Sequence, residues 1–307
     1  MSVWDTIVRQ LINGLIMGSF YSLVALGYSM VYGIIKLLNF AHGDIYMVGA
    51  FVGFFVFGAI AVLLGGGWLS ILLAMLSAML FCGALAWLAQ RLAYRPLLNK
   101  AAPRLSLLIT AIGVSLILYN AVMVITKGQF KFMSTEISPT AGLAFGAVNI
   151  SWIQLILVLT AAILMALLSW FIGSTMWGKA MRAISLDKDT CRLMGINVNM
   201  IIGLTFFIGG ALAAVAGVMA CVYYGQIHFF MGYIMGIKAF TAAVIGGIGS
   251  LPGAMLGGLL LGLLEAAGTQ ISFIGSEWKD VFSFGLLIFM LIFKPTGLLG
   301  VTEIERM

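Results

Sequence analysis

Long apolar segments separated by short polar breaks run through most of the chain. The apolar segments are about 20 residues long and do not alternate between apolar and polar positions, which is typical of helices that cross a bilayer. Backbone N–H and C=O groups find no water in a bilayer, so helices with internal hydrogen bonds are expected. The pattern predicts an all-α polytopic membrane protein, a single transmembrane domain over residues 1–307, with eight or nine crossings among residues 11–34, 45–64, 69–89, 105–125, 152–172, 200–222, 233–248, 254–271 and 281–293.

Glycine and polar residues interrupt the apolar pattern once early and once late, at 39–49 and 246–258. The segments 233–248 and 254–271 are glycine-rich and joined by residues 249–253, so either could be a broken or re-entrant helix. Interrupted helices at matching places in two halves of a membrane protein indicate a substrate path. The sequence contains no clear repeat that would strengthen this prediction.

Small residues four positions apart recur in the apolar segments and predict close helix contacts. Such contacts either pack the helices of one subunit or form a face between subunits. The pairs are Gly14/Gly18, Gly49/Gly53, Gly253/Gly257 and Gly258/Gly262.

Composition and charge agree with a membrane protein. The 307 residues are 63% hydrophobic and 8% charged, whereas soluble domains carry about 25% charged residues. The net charge of +6 invites a nucleic-acid partner, but the basic residues are concentrated in connections on one side of the predicted spans. That asymmetry identifies the side with more basic residues as the cytoplasmic side, and it places the C-terminus there. The positive charge is therefore expected to reflect membrane topology, with lipid rather than nucleic acid around the chain. The scattered cysteines Cys82, Cys191 and Cys221 predict neither a disulfide framework nor a metal site.

The connection at about 174–199 is a compact polar island that reads as a short amphipathic helix. Mixed charges favour a helix on which a soluble partner docks, and the alternative is an ordinary basic loop. We expect an inward face of Ala180, Ala183, Ile184, Cys191, Leu193 and Met194. We expect the opposite, water-facing side to carry Lys179, Arg182, Asp187, Asp189 and Arg192.

Residues 173–179 spell most of a phosphate-binding P-loop, but the match fails on physical grounds. Ala180 stands where a hydroxyl for magnesium is required, and the segment follows an apolar span rather than a strand. Any dependence on ATP would therefore reside in another polypeptide.

Five polar residues lie in or beside spans, where a charge costs about 2.5 to 3.5 kcal/mol on insertion scales. His42 and Asp44 either have a pH-sensing or proton-relay role or, together with Asn39, satisfy backbone groups freed by a helix break. Such a break could also line a substrate path. Lys238 and Glu265 either pair with each other or meet a zwitterionic substrate. These five are the candidate residues of a translocation path.

Four motifs occur in order along the chain: NFAHGD at 39–44 followed by MVGA at 47–50, GKAMRA at 178–183 followed by MGIN at 194–197, GGIGSLPGA at 246–254, and KPTGLLG at 294–300. Together they resemble the LivH-type permease subunits of bacterial ABC transporters for branched-chain amino acids. The resemblance runs nearly end to end, and similar scaffolds carry urea, short amides or other amino acids.

The resemblance implies an inner-membrane importer in which this chain performs no covalent chemistry. It implies a heterodimer with a homologous permease, two cytoplasmic ATPase subunits that hold ATP and magnesium, and an extracytoplasmic binding protein. This chain itself would bind no cofactor. The segment 178–197 would be the coupling helix in a groove of one ATPase, through Gly178, Lys179, Arg182, Ala183, Asp187, Arg192 and Gly195.

Two other classes of protein remain open from the residues alone. A stand-alone secondary transporter needs its own ion site, for which Asp44 and Glu265 are the only carboxylates noted near spans. A membrane scaffold without transport activity has no need of the glycine-rich breaks.

Overall fold

The computed structural model describes residues 3–100, 102–133, 142–145, 148–269 and 278–300, and the fold there is almost entirely helical. The helices are α1 (Val3–Ile35), α2 (Ala41–Leu64), α3 (Trp68–Ala89), α4 (Arg95–Asn99), α5 (Arg104–Thr126), α6 (Trp152–Ser174), α7 (Met176–Leu186), α8 (Lys188–Leu193), α9 (Val198–Tyr224), α10 (Met231–Gly246), α11 (Leu251–Gly268) and α12 (Lys279–Phe293). A π-helical turn over Gln90–Tyr94 joins α3 to α4.

Within these ranges, seven helical segments are long and apolar enough to cross a membrane. They are α1, α2, α3 with its extension to Asn99, α5, α6, α9 and α11. The 16-residue α10 and the 15-residue α12 occupy the other two predicted segments. The prediction of an all-α polytopic protein is confirmed.

In the described part of the chain, four short strands form two antiparallel pairs. The strand β1 (Lys131–Phe132) pairs with β4 (Gln226–Ile227), and β2 (Gly142–Phe145) pairs with β3 (Val148–Ser151). Three of these strands lie in the polar connection between α5 and α6, and β4 follows α9. Strands of two to four residues are too short to show a recognisable alternation of apolar and polar positions. The sequence therefore predicted only a polar connection between α5 and α6.

The core is built around α1 and α9, the two most buried spans. The helix α11 runs antiparallel to α1, because Gly14 lies beside Leu263 whereas Gly18 lies beside Leu259. A β-carbon on Gly262 would lie 2.2 Å from the backbone nitrogen of Gly18. On the other side of the core, a β-carbon on Gly49 of α2 would lie 2.4 Å from the α-carbon of Ala214 in α9. Each predicted small-residue pair makes such contacts inside the chain, as internal packing predicts.

The late break is a tight turn between two separate helices. Gly247 (φ 107°) and Gly249 (φ 90°) adopt the left-handed backbone region that favours glycine. The Ser29 hydroxyl accepts from the Gly249 N–H at 3.0 Å and donates to the Ser250 carbonyl at 3.2 Å. The last turns of α1 therefore hold the late break in place. The early break lies at 36–40, between α1 and α2, and the rest of the predicted interval 39–49 is continuous helix.

The C-terminal motif closes the end of α10. The N–H groups of Leu298 and Leu299 donate to the carbonyls of Ile245 and Gly246, each at 2.9 Å. The last carbonyls of a helix lack partners within it, and this segment supplies two. Residues 294–300 thus lie beside the turn between α10 and α11.

Candidate functional site

The polar island after α6 folds as the predicted helical segment, in two parts. Thr175 caps α7 by accepting from the Gly178 N–H at 3.2 Å, and Asp187 caps α8. Ser, Thr and Asp are favoured at this position because their oxygens satisfy N–H groups that a helix leaves free. We call Met176–Leu193 together with the following turn at Met194 and Gly195 the coupling segment, after the role that the resemblance implies for it.

The predicted inward face of the coupling segment agrees with the structure at Ala180, Ala183, Ile184 and Cys191, although it omitted the buried Met181. Ile184 and Cys191 are buried, and Ala180 and Ala183 pack against the core while half-buried. Leu193 and Met194, in contrast, are 88% and 78% exposed, so their prediction as inward-facing was wrong. The reason is that α8 ends at Leu193 and Gly195 turns the chain at φ 81°.

Arg182 and Gly178 fix α7 against the end of α6. The Arg182 guanidinium donates to the carbonyls of Ile172 at 2.6 Å and Gly173 at 3.3 Å. These carbonyls belong to the last turns of α6, so a cation there also matches the helix dipole. A β-carbon on Gly178 would lie 2.3 Å from the Ile172 carbonyl oxygen. Arg182 is exposed, as the sequence predicted, and its side chain also joins α7 to α6, which the sequence did not predict.

The exposed side of the coupling segment combines cations with large apolar side chains. Arg192 pairs with Asp189 at 2.9 Å, and Lys179 is exposed. Burial, and then repulsion from Arg192, lower the pKa of Lys188. The exposed apolar side chains are those of Met176, Leu186, Leu193 and Met194. A mixed apolar and charged surface of this kind suits contact with a protein.

Asp187 provides a testable capping interaction at the start of α8. Hydrogen bonds from the Thr190 hydroxyl, and then from the N–H groups of Thr190 and Asp189, lower the pKa of the Asp187 carboxyl. A lowered pKa means that the cap is complete at neutral pH and is lost as pH falls through that value. We expect Asp187→Ala to speed amide hydrogen exchange over 188–193, while Asp187→Ser retains most protection.

The control is Asp189→Ala, which removes only the exposed pair with Arg192 and should leave exchange nearly unchanged. Equal exchange in Asp187→Ala and the unsubstituted chain would contradict the capping role.

A cavity of about 460 Å³ lies beside the coupling segment. Arg182 and Ser185 of α7 line it together with Ser29 of α1 and the turn residues 249–252. The cavity therefore separates the coupling segment from the turn that Ser29 holds.

The early predicted path residues form a buried polar group at the start of α2. The Tyr94 hydroxyl donates to the Asn39 side-chain oxygen at 2.7 Å, and Ser115 donates to the Asp44 carboxylate in a short hydrogen bond. His42 is 2% exposed and packs edge-on against the Tyr28 ring. Asn39 and Asp44 therefore bond to side chains of the π-helical turn and of α5 rather than to freed backbone groups. The buried Nε2 atom of His42 has no hydrogen-bond partner among the described residues.

The late path residues form a separate buried ion cluster. The Lys238 ammonium lies 2.9 Å from the Glu265 carboxylate and 2.7 Å from that of Asp280. Tyr21 donates to Glu265 at 2.6 Å, and Ser283 also donates to it. The predicted pairing of Lys238 with Glu265 is confirmed. Asp280 was missed, although its place at the start of an apolar segment was a visible signal.

The early polar group at the start of α2 and the late ion cluster are connected by close glycine packing between α2 and α10, and not by contacts between their side chains. A β-carbon on Gly232 of α10 would lie 3.0 Å from the Asp44 carboxylate, and one on Gly43 would lie 2.6 Å from the α-carbon of Gly236. Lys238 lies farther along α10 and faces the other cluster. Within the described residues, the five predicted path residues therefore make two clusters and not one site.

A glycine-packed bundle of membrane-length helices, with a capped amphipathic segment and a cavity beside it, defines a polytopic membrane protein. The family described as "Branched-chain amino acid transport system / permease component" matches residues 10–291. This chain belongs to that family.

Curated relatives match almost the whole chain. It is 45% identical to the high-affinity branched-chain amino acid transport system permease protein BraD of Pseudomonas aeruginosa and 41% identical to LivH of Escherichia coli. In both comparisons 97% of each chain is covered. A probable branched-chain amino acid permease, LivH of Methanocaldococcus jannaschii, is 27% identical over 91% of this chain and 88% of its own. No solved structure matches the present chain significantly.

Proposed function

We propose that this chain is the membrane-spanning subunit of an ATP-driven importer of branched-chain amino acids. The observation that supports this best is the identity of 41% and 45% to two such permeases over 97% of both chains. Leucine, isoleucine and valine are the proposed substrates. Urea, short amides or other amino acids are the alternative on the same architecture.

The proposed partners follow from the family and from the exposed coupling segment. They are a homologous permease subunit, two cytoplasmic ATPase subunits and an extracytoplasmic binding protein. ATP and magnesium would be held by the ATPases, and this chain would perform no catalysis. We place the protein in the bacterial inner membrane.

We propose that Gly178, Lys179, Arg182, Ala183, Asp187, Arg192 and Gly195 couple the chain to an ATPase, directly or by holding the segment. Exposed Leu186, Leu193 and Met194 would supply apolar contact. Movement of α7 would pull on α6 through Arg182 and change the cavity that α7 shares with residues 249–252. That is a route from ATP hydrolysis to the helices of alternating access.

The same geometry supports a cytoplasmic C-terminus. Residues 294–300 bind the end of α10, beside the turn that faces α7 across the cavity. The coupling segment and residues 294–300 therefore share one face, which we propose is cytoplasmic.

Co-purification and uptake test this proposal together. The tagged chain would be extracted from its native cells in mild detergent and its partners identified by mass spectrometry. We expect a second permease and one or two ATPases, and uptake of labelled leucine that unlabelled valine suppresses and urea does not. Recovery of a folded chain alone would favour a stand-alone carrier, and suppression by urea would favour the alternative substrates.

Arg182→Glu tests the coupling role. The substitution replaces charge-assisted hydrogen bonds to two α6 carbonyls with repulsion, so we expect uptake to fall about 10-fold or more. The variant should still reach the membrane with its partners, because Arg182 is exposed and outside the core.

The matched control is Lys100→Glu, a charge reversal at an exposed residue outside the coupling segment. Normal uptake by a well-expressed Arg182→Glu variant would rule out this role.

A further inference from the structure

A second pocket lies at the junction of α3 and α9, on the face that carries the coupling segment. Its volume is about 230 Å³, and α9 begins there directly after α8. The two helices are antiparallel, since a β-carbon on Gly203 would lie 2.9 Å from the Trp87 ring and one on Gly83 would lie 2.9 Å from Phe207. The pocket is lined by Trp87, Gln90, Arg91, Arg95, Asn197, Asn199 and Met200.

Two arginines give this pocket a positive charge. Arg91 lies over the Trp87 ring, with its guanidinium carbon 5.2 Å from the ring centroid. Among the described residues, neither Arg91 nor Arg95 forms an ion pair with a carboxylate. Two guanidinium groups and the side-chain amides of Asn197 and Asn199 make a donor set that suits an oxyanion, above all a phosphate.

Gln90 provides an independent observation that points to a ligand. Its side chain is 2% exposed and lines the pocket, yet its Nε2 donor has no hydrogen-bond partner among the described residues. Buried side-chain donors are nearly always satisfied in native proteins. Gln90 also begins the π-helical turn, a rare element that frequently marks functional sites.

The surroundings of the pocket are apolar and outward-facing. Leu88, Leu92 and Met200 are 44%, 66% and 55% exposed, and Trp87 is 40% exposed at the end of a span. Tryptophan and arginine at a helix end are typical of the boundary between acyl chains and headgroups. Basic pockets between membrane helices bind anionic lipid headgroups.

We propose that this pocket binds the phosphate of an anionic phospholipid. Arg91, Arg95 and Gln90 contact the phosphate, and the acyl chains lie along the outer surfaces of α3 and α9. The lining of the pocket contains no residue of Met176–Gly195 and none of the five path residues, although the turn that begins at Gln90 also carries Tyr94, the donor to Asn39. The proposal does not depend on which substrate is transported.

Native mass spectrometry of the full-length chain, with the subunits that accompany it, tests the proposal. The probes are dioleoylphosphatidylglycerol, dioleoylphosphatidylcholine and the soluble sn-glycerol 3-phosphate. We expect retention of phosphatidylglycerol alone, and a loss of about 10-fold or more in Arg91→Gln/Arg95→Gln because each basic residue contributes to anionic-lipid binding. Gln90→Leu, which keeps the packing but removes the donor, should also retain less lipid.

The control is Lys100→Gln/Lys294→Gln, which removes two exposed cations outside the pocket and should retain lipid normally. Equal retention by the double arginine variant and the unsubstituted chain would overturn the proposal. So would equally tight binding of glycerol phosphate, which would identify a soluble ligand, or protection of the arginines by an ATPase subunit, which would identify a protein interface.

Discussion

Gly262→Leu is expected to prevent the chain from reaching a stable fold. A β-carbon at this position would lie 2.2 Å from the Gly18 nitrogen and 2.4 Å from its α-carbon, so backbone meets backbone. The atoms nearest to this β-carbon are all backbone atoms of α1, so no flexible side chain can move aside. The helices α1 and α11 would have to separate. Overpacking in a core typically costs 1–3 kcal/mol, and we expect about 3 kcal/mol or more here because a whole helix pair is displaced.

The measurement is the monodisperse yield and thermal unfolding of a purified fluorescent fusion. The matched control is Gly113→Leu in α5, where a β-carbon would meet no atom within 4 Å. It should unfold close to the unsubstituted chain. If both variants were equally stable, the close packing of α1 against α11 would be wrong.

Contacts of this kind show what could be predicted from the sequence. Small residues at a spacing of four identified Gly18, Gly258 and Gly262 as contact positions, because only small side chains let helices approach so closely in lipid. Spacing alone did not identify the partner helix, which depends on how the whole bundle packs. The same limit applied to Asp280, whose carboxylate reaches Lys238 from a helix 42 residues farther along the chain only after α10, α11 and α12 assemble.

The sequence predicted that the coupling segment is helical, but it did not predict every buried position or contact of that segment. Amphipathic spacing predicted the buried Ile184 and Cys191, because helical periodicity determines which positions share a face. It failed at Leu193 and Met194, where a six-residue helix ends and periodicity no longer applies. It placed Arg182 correctly on the exposed side but did not predict its hydrogen bonds to α6, since the sequence does not reveal the angle at which α7 leaves α6.

Lys238→Met is expected to be the most destabilising change in the late polar cluster. The substitution leaves the Glu265 carboxylate 1% exposed and without its cation. Removing one partner of a buried ion pair typically costs about 3–5 kcal/mol, because the remaining charge is both desolvated and unpaired. Glu265→Gln should cost less, since Tyr21 and Ser283 can still hydrogen-bond the amide and Lys238 keeps Asp280 at 2.7 Å.

The double variant Lys238→Met/Glu265→Gln separates a structural role from a transport role. If the lysine serves mainly to neutralise Glu265, the double variant should be more stable than Lys238→Met, and the two effects should be far from additive. The free energy of unfolding would be measured by titration with a denaturing detergent. If the losses of the two single variants added up to the loss of the double variant, Lys238 and Glu265 would not be energetically coupled. Uptake by the double variant then decides the second question, because restored stability with restored uptake assigns the cluster to the scaffold. Restored stability without uptake would instead place Lys238 or Glu265 on the translocation path, where their charges meet the zwitterionic substrate.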